Sequence, residues 1–591
     1  MSEQIQQVGI VGCGTMGSGI AQIVASHGID VVFVEVDDLA VERGYERIRG
    51  ALERLVAKEK IDTDERDAII GRITGTTDWT ALSDRDLIVE AVPEVLALKQ
   101  EAFAKLDEVA SPDAIIATNT SSLPVMDIAV HTQRPNRVLG FHFFNPAPVM
   151  KLIELVRTVV TDEAVVETAK SFAESIGKVP VAVGDRRGFI ANQLLFPYLN
   201  QAVGMVESGY ATMQDIDNAM RFGAGLPMGP IALTDLVGID TFVGIMEAIH
   251  SQFDDTRFAP RPYLRQLDAA GFKGRKSGRG FYTYEEPGSS RVVPDQDAAR
   301  GPADPDRIAD WTTVGVVGTG TMASGIVEVC AKAGFDVVVR GRSKEKAEKV
   351  VASVAKSMQR MVEKGRMSTE DMDAALARIS GTSELGDLAT CDVVIEAVAE
   401  DLAVKTELFR ELGEVCKPET VLTTTTSSLP VIACAMASGR PERFIGLHFF
   451  NPAAIMKLVE VVPTVRTPDE VTEQARAFTE RIGKVGVLCP DRAGFIVNAL
   501  LFPYLNDAVK MLDSHYATAE EIDTAMKLGC GYPMGPFELM DIVGLDVTLA
   551  IIETLNTEFR EPSYAPAPLL QHLVGAGFLG RKAGRGFYVY A

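Results

Sequence analysis

Two histidines hold the same place in an internal duplication of this chain. The sequence contains seven histidines, and only His142 and His448 are separated by 306 residues. Each follows a strand-like run, residues 138–141 in one case and 444–447 in the other. Ligands of open α/β sheets bind beyond the carboxyl ends of the strands. Both histidines are therefore candidates for acid–base chemistry on a bound ligand.

An acidic residue accompanies each histidine in the next strand-like run. Glu154 lies two residues after the aliphatic Leu152 and two before the aliphatic Val156. Side chains at this spacing share one face of a strand. A carboxylate among aliphatic side chains is costly unless it has a partner, and an imidazole is a suitable partner because the carboxylate holds it in one tautomer. Glu460 repeats the arrangement. We expect one His–Glu pair in each copy; a buried structural carboxylate is the alternative.

A glycine-rich turn begins each copy. Gly12-Cys-Gly-Thr-Met-Gly17 follows a strand-like run and precedes an apolar helical run, and Glu35 ends the next strand. In this context G-x-G-x-x-G is the dinucleotide-binding fingerprint, with a pyrophosphate at the helix N-terminus. A carboxylate at the strand end accepts hydrogen bonds from ribose and repels a 2′-phosphate, which predicts NAD for copy one. The predicted cofactor contacts are Gly12, Gly14, Thr15, Met16, Gly17 and Glu35.

The second copy departs from the first at this turn. Its fingerprint ends in alanine, and Gly341 stands where copy one has Glu35. Loss of the acid beside two arginines is typical of 2′-phosphate binding. We expect copy two to prefer NADP or to accept both cofactors; the alternative is a structural half without activity. The residues predicted to line its cofactor site are Gly318, Gly320, Thr321, Met322, Ala323, Arg340, Arg342 and Ser343.

The duplication extends through the whole chain of 591 residues. His142-Phe-Phe-Asn-Pro-Ala recurs at His448, and Gly274-Arg-Lys-Ser-Gly-Arg-Gly-Phe-Tyr recurs almost unchanged at Gly580, with the same offset of 306. β-branched runs alternate with helical stretches up to about Gly188, and helical periodicity follows. We predict two tandem α/β units, each a doubly wound Rossmann-type domain followed by an all-helical domain. The predicted boundaries are 1–187 and 188–285 for copy one, 286–311 for a linker, and 312–493 and 494–591 for copy two.

Composition narrows the class of protein. The chain is 47% apolar and 24% charged, with a formal net charge of −23, which argues against nucleic-acid or anionic-membrane partners. Its seven cysteines form no CxxC pair and no zinc-type cluster with histidine, so we expect neither a disulfide framework nor a metal site. Apolar runs are too short for a membrane helix. We expect a cytoplasmic enzyme.

Together these stretches resemble the 3-hydroxyacyl-CoA dehydrogenase family, including the bacterial 3-hydroxybutyryl-CoA dehydrogenases. The resemblance covers each copy nearly end to end. In copy one it is carried by the glycine-rich turn and by Ile88-Val-Glu-Ala-Val-Pro-Glu, Thr118-Asn-Thr-Ser-Ser-Leu, Gly140-Phe-His-Phe-Phe-Asn-Pro, Gly188-Phe-Ile-Ala-Asn and the Gly-Arg-Gly-Phe-Tyr near the end of the copy.

The resemblance implies a role for each matching residue. It makes His142 the general base, Glu154 its orienting carboxylate, and Ser121 and Asn192 hydrogen-bonding partners of the substrate. Glu94, Lys99 and Asn119 fall in the family's cofactor-contacting loops, and Lys58 falls where the family binds CoA phosphates. The same positions in copy two are His448, Glu460, Ser427, Asn498, Glu400, Lys405 and Lys364. Thr425 replaces Asn119 there, which changes the hydrogen bonding of that loop.

The implied activity is reversible oxidation of (S)-3-hydroxyacyl-CoA to 3-oxoacyl-CoA with NAD(P), with 3-hydroxybutyryl-CoA as the expected substrate. Two alternatives lie within the family: a 3-hydroxyadipyl-CoA dehydrogenase, and an enzyme in which only copy one is active. A dehydrogenase of small hydroxy acids and a non-enzymatic cofactor-binding protein are the alternatives outside it. We also expect the helical domains to form an intramolecular pseudo-dimer, and we leave further homo-oligomerisation open.

Overall fold

Two eight-stranded sheets, each followed by a group of helices, make up the computed structural model, which describes residues 5–253, 255–294 and 301–590. The strands of copy one are β1 (Gln7–Val11), β2 (Asp30–Val34), β3 (Ile73–Thr76), β4 (Leu87–Glu90), β5 (Ile115–Thr118), β6 (Val138–Phe143), β7 (Leu152–Arg157) and β8 (Val179–Gly184). Those of copy two are β9 (Thr313–Val317), β10 (Asp336–Arg340), β11 (Ile379–Thr382), β12 (Val393–Glu396), β13 (Val421–Thr424), β14 (Phe444–Phe449), β15 (Leu458–Val462) and β16 (Val485–Leu488).

Eleven α-helices belong to each copy in the described part of the chain. In copy one they are α1 (Thr15–Ser26), α2 (Asp38–Val56), α3 (Thr63–Gly71), α4 (Leu96–Val109), α5 (Val125–Ala129), α6 (Glu163–Ser175), α7 (Ala191–Glu207), α8 (Met213–Gly223), α9 (Pro230–Val237), α10 (Ile239–Phe253) and α11 (Pro262–Ala269). In copy two they are α12 (Thr321–Lys332), α13 (Lys344–Glu363), α14 (Thr369–Leu376), α15 (Leu402–Val415), α16 (Val431–Ala437), α17 (Asp469–Arg481), α18 (Val497–Asp513), α19 (Ala519–Cys530), α20 (Pro536–Val543), α21 (Leu545–Phe559) and α22 (Pro568–Gly575).

The strand order places the carboxyl ends of the central strands at one edge of each sheet. The order is β3-β2-β1-β4-β5-β6-β7-β8, and copy two repeats it from β11 to β16. The chain reverses direction across the sheet between β1 and β4, which is where doubly wound sheets bind dinucleotides. Strand β7 runs antiparallel to β6 because residues 144–151 return directly, without the crossover helix that a parallel strand needs. The predicted fold is confirmed.

The helical regions of the two copies pack on each other. Helix α7 lies against α18, and the Gln201 side-chain amide donates to the Ala499 carbonyl at 3.0 Å and to the Tyr564 hydroxyl at 2.6 Å. The Arg257 guanidinium donates to Asp507 at 2.5 Å. One continuous apolar cluster contains buried side chains of both helical regions. The two copies are therefore joined by a shared core as well as by the covalent chain.

Part of the segment predicted as a linker packs on copy two. Ile308 and Trp311 are buried in the apolar cluster of copy two, with the Trp311 ring against Phe478 on α17, and the backbone N–H of Ala303 donates to Glu480 on the same helix. Apolar residues among the prolines and aspartates explain the difference, because burying an indole ring stabilises the segment on the domain. Residues 295–300 of the predicted linker lie outside the described residues.

Two kinds of feature are absent from the described residues. No helix in residues 5–253, 255–294 and 301–590 combines the length and apolarity needed to cross a bilayer. The same ranges contain no cluster of three or more histidine, cysteine, aspartate or glutamate side chains placed to hold a metal ion.

Candidate active site

The two predicted His–Glu pairs form across antiparallel strands. His142 on β6 stands directly opposite Glu154 on β7, and its Nδ1–H donates to Glu154 Oε2 at 2.8 Å. His448 and Glu460 repeat the pair at 2.6 Å. Both carboxylates are fully buried. Because an ionised carboxylate only accepts hydrogen bonds, the pair places the imidazole proton on Nδ1 and leaves Nε2 able to accept a proton.

The helical domain supplies the remaining partners of the buried carboxylate. Glu154 Oε1 accepts hydrogen bonds from the backbone N–H groups of Ile190 and Ala191, both at 3.1 Å, where α7 begins. Gly188 and Phe189 precede this helix with φ values of +81° and +51°, and this turn aims the two N–H groups at the carboxylate. The helix dipole adds to the stabilisation of the negative charge. The carboxylate thus joins the sheet, the imidazole and the helical domain.

Aromatic rings surround the imidazole. The ring centroid of His142 lies 4.6 Å from that of Phe144 and 5.5 Å from that of Phe189. In copy two Phe450 and Phe495 lie at 4.5 Å and 5.5 Å from His448. These contacts restrict rotation of the imidazole about its side-chain bonds and exclude water from its faces. These phenylalanines were not among the predicted site residues, although Phe144 stands in the repeated His-Phe-Phe-Asn-Pro run and Phe189 in the repeated Gly-Phe-Ile run.

Ser121 and Asn192 are brought together across the domain boundary. The Asn192 side-chain amide donates to the carbonyl oxygen of Ser121 at 3.2 Å, and Asn498 makes the same contact with Ser427 at 3.4 Å. Asn192 lies in the first turn of α7, directly after the N–H groups that hold Glu154. The loop that carries Ser121, residues 119–124 (the serine loop), and the His–Glu pair therefore both contact the N-terminal end of α7.

Glu94 organises the serine loop. Its Oε1 accepts from the hydroxyl of Thr120 at 2.6 Å and from the backbone N–H groups of Ser121 and Ser122 at 2.9 and 3.1 Å. Burial alone would raise the pKa of Glu94, but the Lys99 ammonium and these donors hold it below its usual range. The contribution to stability is therefore present at neutral pH and is lost only as the pH falls through that lowered pKa. Glu400 is held in the same way, by Lys405 and the Thr426 hydroxyl.

Lys99 is deeply buried and lies between two acidic side chains. Its Nζ lies 2.8 Å from Glu90 Oε1 and 3.3 Å from Glu94 Oε2, and the side chain is 1% exposed. Glu90 is fully buried and also accepts from the Thr118 hydroxyl at 2.7 Å. Lys405 and Glu396 form the same pair at 2.7 Å. Glu90 was not among the predicted site residues, although it stands in a Glu-Ala-Val run that recurs at Glu396.

The predicted NAD turn of copy one has an open helix N-terminus. A side chain added at Gly14 would meet no atom within 4 Å, whereas one added at Gly17 would overlap the carbonyl of Gly12. Open space at Gly14 suits a pyrophosphate, and close packing at Gly17 brings helix and strand together. Glu35 lies beside the turn and accepts from the N–H of Cys13 at 2.5 Å. Thr15 and Met16 begin α1, and the Asn119 side chain accepts from the Phe143 N–H beside His142.

Copy two presents a basic cavity at the same place. A cavity of about 490 Å³ is lined by Arg340, Arg342 and Lys346 together with residues 317–322 of the glycine-rich turn. Lys346 occupies the position of Ala40 in copy one and was missed by the sequence analysis, although the offset of 306 identifies it. A side chain added at Gly341 would lie 2.9 Å from the Ala347 nitrogen, so this position has no room for a glutamate like Glu35. The Ser343 hydroxyl caps α13.

The predicted CoA lysines lie on the exposed ends of the second Rossmann helices. Lys364 lines a cavity of about 520 Å³ together with Lys332, Arg360 and Arg366. Lys58 is exposed at the corresponding place in copy one, close in sequence to Arg54. Cations grouped around a cavity match the phosphates of a CoA molecule. Lys58 and Lys364 were predicted from the sequence; Lys332, Arg360 and Arg366 complete the basic group of copy two.

Family models match both copies over almost their whole length. The model described as the NAD binding domain of 3-hydroxyacyl-CoA dehydrogenase matches residues 7–186 and 313–492. The model of the C-terminal domain of the same family matches residues 188–284 and 494–590.

Individual relatives agree with these matches. A 3-hydroxybutyryl-CoA dehydrogenase of Mycobacterium tuberculosis is 49% identical over 286 residues, which is 48% of this chain and 100% of the relative. A 3-hydroxyadipyl-CoA dehydrogenase of Escherichia coli K12 is 29% identical over 97% of this chain and 98% of its own length. The crystal structure of an Escherichia coli 3-hydroxybutyryl-CoA dehydrogenase superposes with a TM-score of 0.71 at 27% identity, covering 98% of this chain and 100% of that one.

The buried Lys99–Glu90 pair generates a test of the loop-supporting network. The Lys99→Met variant leaves the fully buried Glu90 carboxylate without its cation. We therefore expect the free energy of unfolding to fall by about 3 to 5 kcal/mol. Urea denaturation measures the change. The Lys99→Met/Glu90→Gln double variant removes the stranded charge and should recover part of the loss. A single variant as stable as the wild type would contradict the role given to the pair.

Proposed function

Because the chain belongs to the 3-hydroxyacyl-CoA dehydrogenase family, in which it is an NAD-dependent oxidoreductase, we propose that it oxidises (S)-3-hydroxybutyryl-CoA to acetoacetyl-CoA, with both copies catalytically active. The observation that carries the proposal is the complete His–Glu pair in each copy, held by the same backbone donors of the following helix. The overall reaction transfers a hydride from C3 to the cofactor and releases one proton.

The imidazole is the proton acceptor in this proposal. With Nδ1–H held by Glu154, His142 Nε2 takes the proton of the substrate 3-hydroxyl, and the carboxylate stabilises the imidazolium that results. Bound NAD supplies the chemistry of hydride acceptance. In the reverse direction the same imidazolium returns the proton to the 3-oxo group. Ser121 and Asn192 bind the reacting oxygen and the thioester region, at the helix end where Glu154 is anchored.

Glu94, Lys99 and Asn119 act as supports in this proposal. Glu94 fixes the loop that carries Ser121, Lys99 fixes Glu94, and Asn119 fixes the backbone beside His142. Glu94 keeps a partly exposed carboxylate, which leaves it able to contact a nicotinamide ribose from the same loop. The basic groups that include Lys58 and Lys364 bind the phosphates of CoA.

Each copy carries its own cofactor preference in this proposal. Copy one takes NAD because Glu35 repels a 2′-phosphate, and copy two takes NADP because Arg340, Arg342 and Lys346 surround a turn that lacks the acid. The helical regions act as an intramolecular pseudo-dimer, which is supported by the shared apolar cluster and by the α7–α18 contact. The acyl-CoA substrate is the proposed small-molecule partner.

A second substrate follows from the architecture of one relative. The Escherichia coli 3-hydroxyadipyl-CoA dehydrogenase aligns over 97% of this chain, whereas the 3-hydroxybutyryl-CoA dehydrogenase of Mycobacterium tuberculosis aligns with a single copy. 3-Hydroxyadipyl-CoA is therefore the alternative substrate. The ratio of kcat/KM for 3-hydroxybutyryl-CoA and 3-hydroxyadipyl-CoA, measured on the full chain, distinguishes the two.

Histidine variants test the proposed catalysis directly. His142→Ala and His448→Ala should each leave one working site, and the double variant should lose turnover by about 10²- to 10⁴-fold because no proton acceptor remains. Steady-state formation of NADH or NADPH from 3-hydroxybutyryl-CoA measures the effect, and replacement of the exposed His27 is the control. Turnover by the double variant within a factor of two of wild type would contradict the assignment.

Cofactor preference is tested in the His142→Ala chain, where copy two alone turns over. We expect a lower KM for NADP than for NAD in this chain. Arg342→Ala should raise the KM for NADP by about tenfold, because a charge-assisted hydrogen bond to phosphate is lost, and should leave the KM for NAD unchanged. Lys349→Ala, on the helix α13 that follows Arg342 and paired with Glu345, is the matched control. A lower KM for NAD at copy two would refute the NADP assignment.

A further inference from the structure

The helical region of each copy reaches across to the sheet of the other. Helix α19 of copy two lies against β7 and β8 of copy one, and α8 of copy one lies against β15 and β16 of copy two. Two equivalent hydrogen bonds fix this arrangement: the Tyr516 hydroxyl donates to the Gly184 carbonyl at 2.7 Å, and the Tyr210 hydroxyl donates to the Pro490 carbonyl at 3.1 Å. The strands contacted, β7 and β15, carry Glu154 and Glu460.

Each crossing helix carries a glycine in its last turn, Gly529 in α19 and Gly223 in α8, and this glycine packs against the other copy's active site. A Cβ added at Gly529 would lie 2.8 Å from Leu152 Cδ2 and 3.1 Å from Phe144 Cε1. A Cβ added at Gly223 would lie 2.6 Å from Leu458 Cδ2 and 3.4 Å from Phe450 Cε1. Even one methyl group therefore has no room at Gly529 or Gly223 unless the other copy's side chains move.

The contacted side chains lead directly to the catalytic pair. Phe144 packs against the His142 imidazole at 4.6 Å between ring centroids. Leu152 precedes Glu154 by two residues and points to the same face of β7. The backbone of Gly529 thus packs against two side chains: the phenylalanine that contacts the imidazole, and the leucine beside the carboxylate. Gly223, Phe450 and Leu458 repeat the arrangement around His448 and Glu460.

We propose that Gly529 positions the His142–Glu154 pair and that Gly223 positions the His448–Glu460 pair, so that each active site is aligned by the helical region of the other copy. Both glycines are positioning residues, since they touch the phenylalanine and leucine rather than substrate. For its effect on turnover the inference rests on the proposed function. The tandem duplication thereby has a role, because the helical region of each half holds the catalytic pair of the other half in place.

The test compares two variants of the full chain in two backgrounds. His448→Ala leaves copy one as the working site, and His142→Ala leaves copy two. Gly529→Ala should lower kcat about tenfold in the His448→Ala background, with little change in the KM for the cofactor. Gly223→Ala should lower kcat to a similar extent in the His142→Ala background. Because Leu152→Val removes the Cδ2 atom that would lie nearest the added methyl, it should restore part of the kcat lost in Gly529→Ala.

Three outcomes would overturn the inference. If a glycine variant lowers kcat equally in both backgrounds, the interface is damaged in general. If it lowers kcat only at the site of the copy that contains the glycine, the effect arises within that copy. Thermal unfolding of each variant shows whether the chain remains folded. A variant that is folded and retains full kcat in the background where loss is expected would also refute the positioning role.

A second measurement separates this inference from the proposed function. NMR of the chain with isotope-labelled histidine reports the imidazole resonances without substrate, and His142→Ala and His448→Ala assign them. Since each imidazole lies in the ring-current field of its phenylalanine, Gly529→Ala should shift the His142 resonance and leave His448 unchanged. Gly223→Ala should do the reverse. A crosswise shift in a chain without dehydrogenase activity would refute the function alone, and an active chain without the crosswise shift would refute the inference alone.

Discussion

A buried carboxylate at the junction of sheet and helix is the interaction on which each half of this protein depends. Glu154 is fully buried and accepts from the His142 imidazole and from two backbone N–H groups of α7. Burying a negative charge is costly, and these donors together with the helix dipole offset the cost. Any movement of α7 relative to β7 would break hydrogen bonds to that charge. Domain placement and imidazole orientation are therefore coupled through one side chain.

The buried carboxylate and its donors are present in both copies, whereas the cofactor sites of the two copies differ. Both copies retain the pair, the serine loop and the buried lysine, and each forms the same hydrogen bonds. The surroundings of the glycine-rich turns differ in charge, because copy two places Arg340, Arg342 and Lys346 around a cavity beside its turn and lacks the acid that copy one has there. Change at the nucleotide edge is permitted since those residues are not part of the network that anchors the carboxylate.

Much of the fold and the catalytic pair could be predicted because the signals are local. β-branched runs alternate with helical stretches, and His142 and Glu154 lie only twelve residues apart, on strands joined by a short return. The ion pair of Lys99 with Glu90 could not be predicted, because a spacing of nine residues between a strand end and the next helix does not show which way the lysine side chain turns. The contact of Gly529 with Phe144 depends on how two copies pack, and no spacing within one copy encodes it.

The central claim is that the buried carboxylate holds each catalytic imidazole with its proton on Nδ1 and leaves Nε2 free to accept one. The nitrogen-15 spectrum of histidine-labelled protein at pH 8 measures this directly, because protonated and unprotonated ring nitrogens have well-separated shifts. The account predicts a protonated Nδ1 and an unprotonated Nε2 for His142 and His448, with the Nδ1 signal displaced in Glu154→Gln and Glu460→Gln. A protonated Nε2, or spectra unchanged by those substitutions, would contradict it.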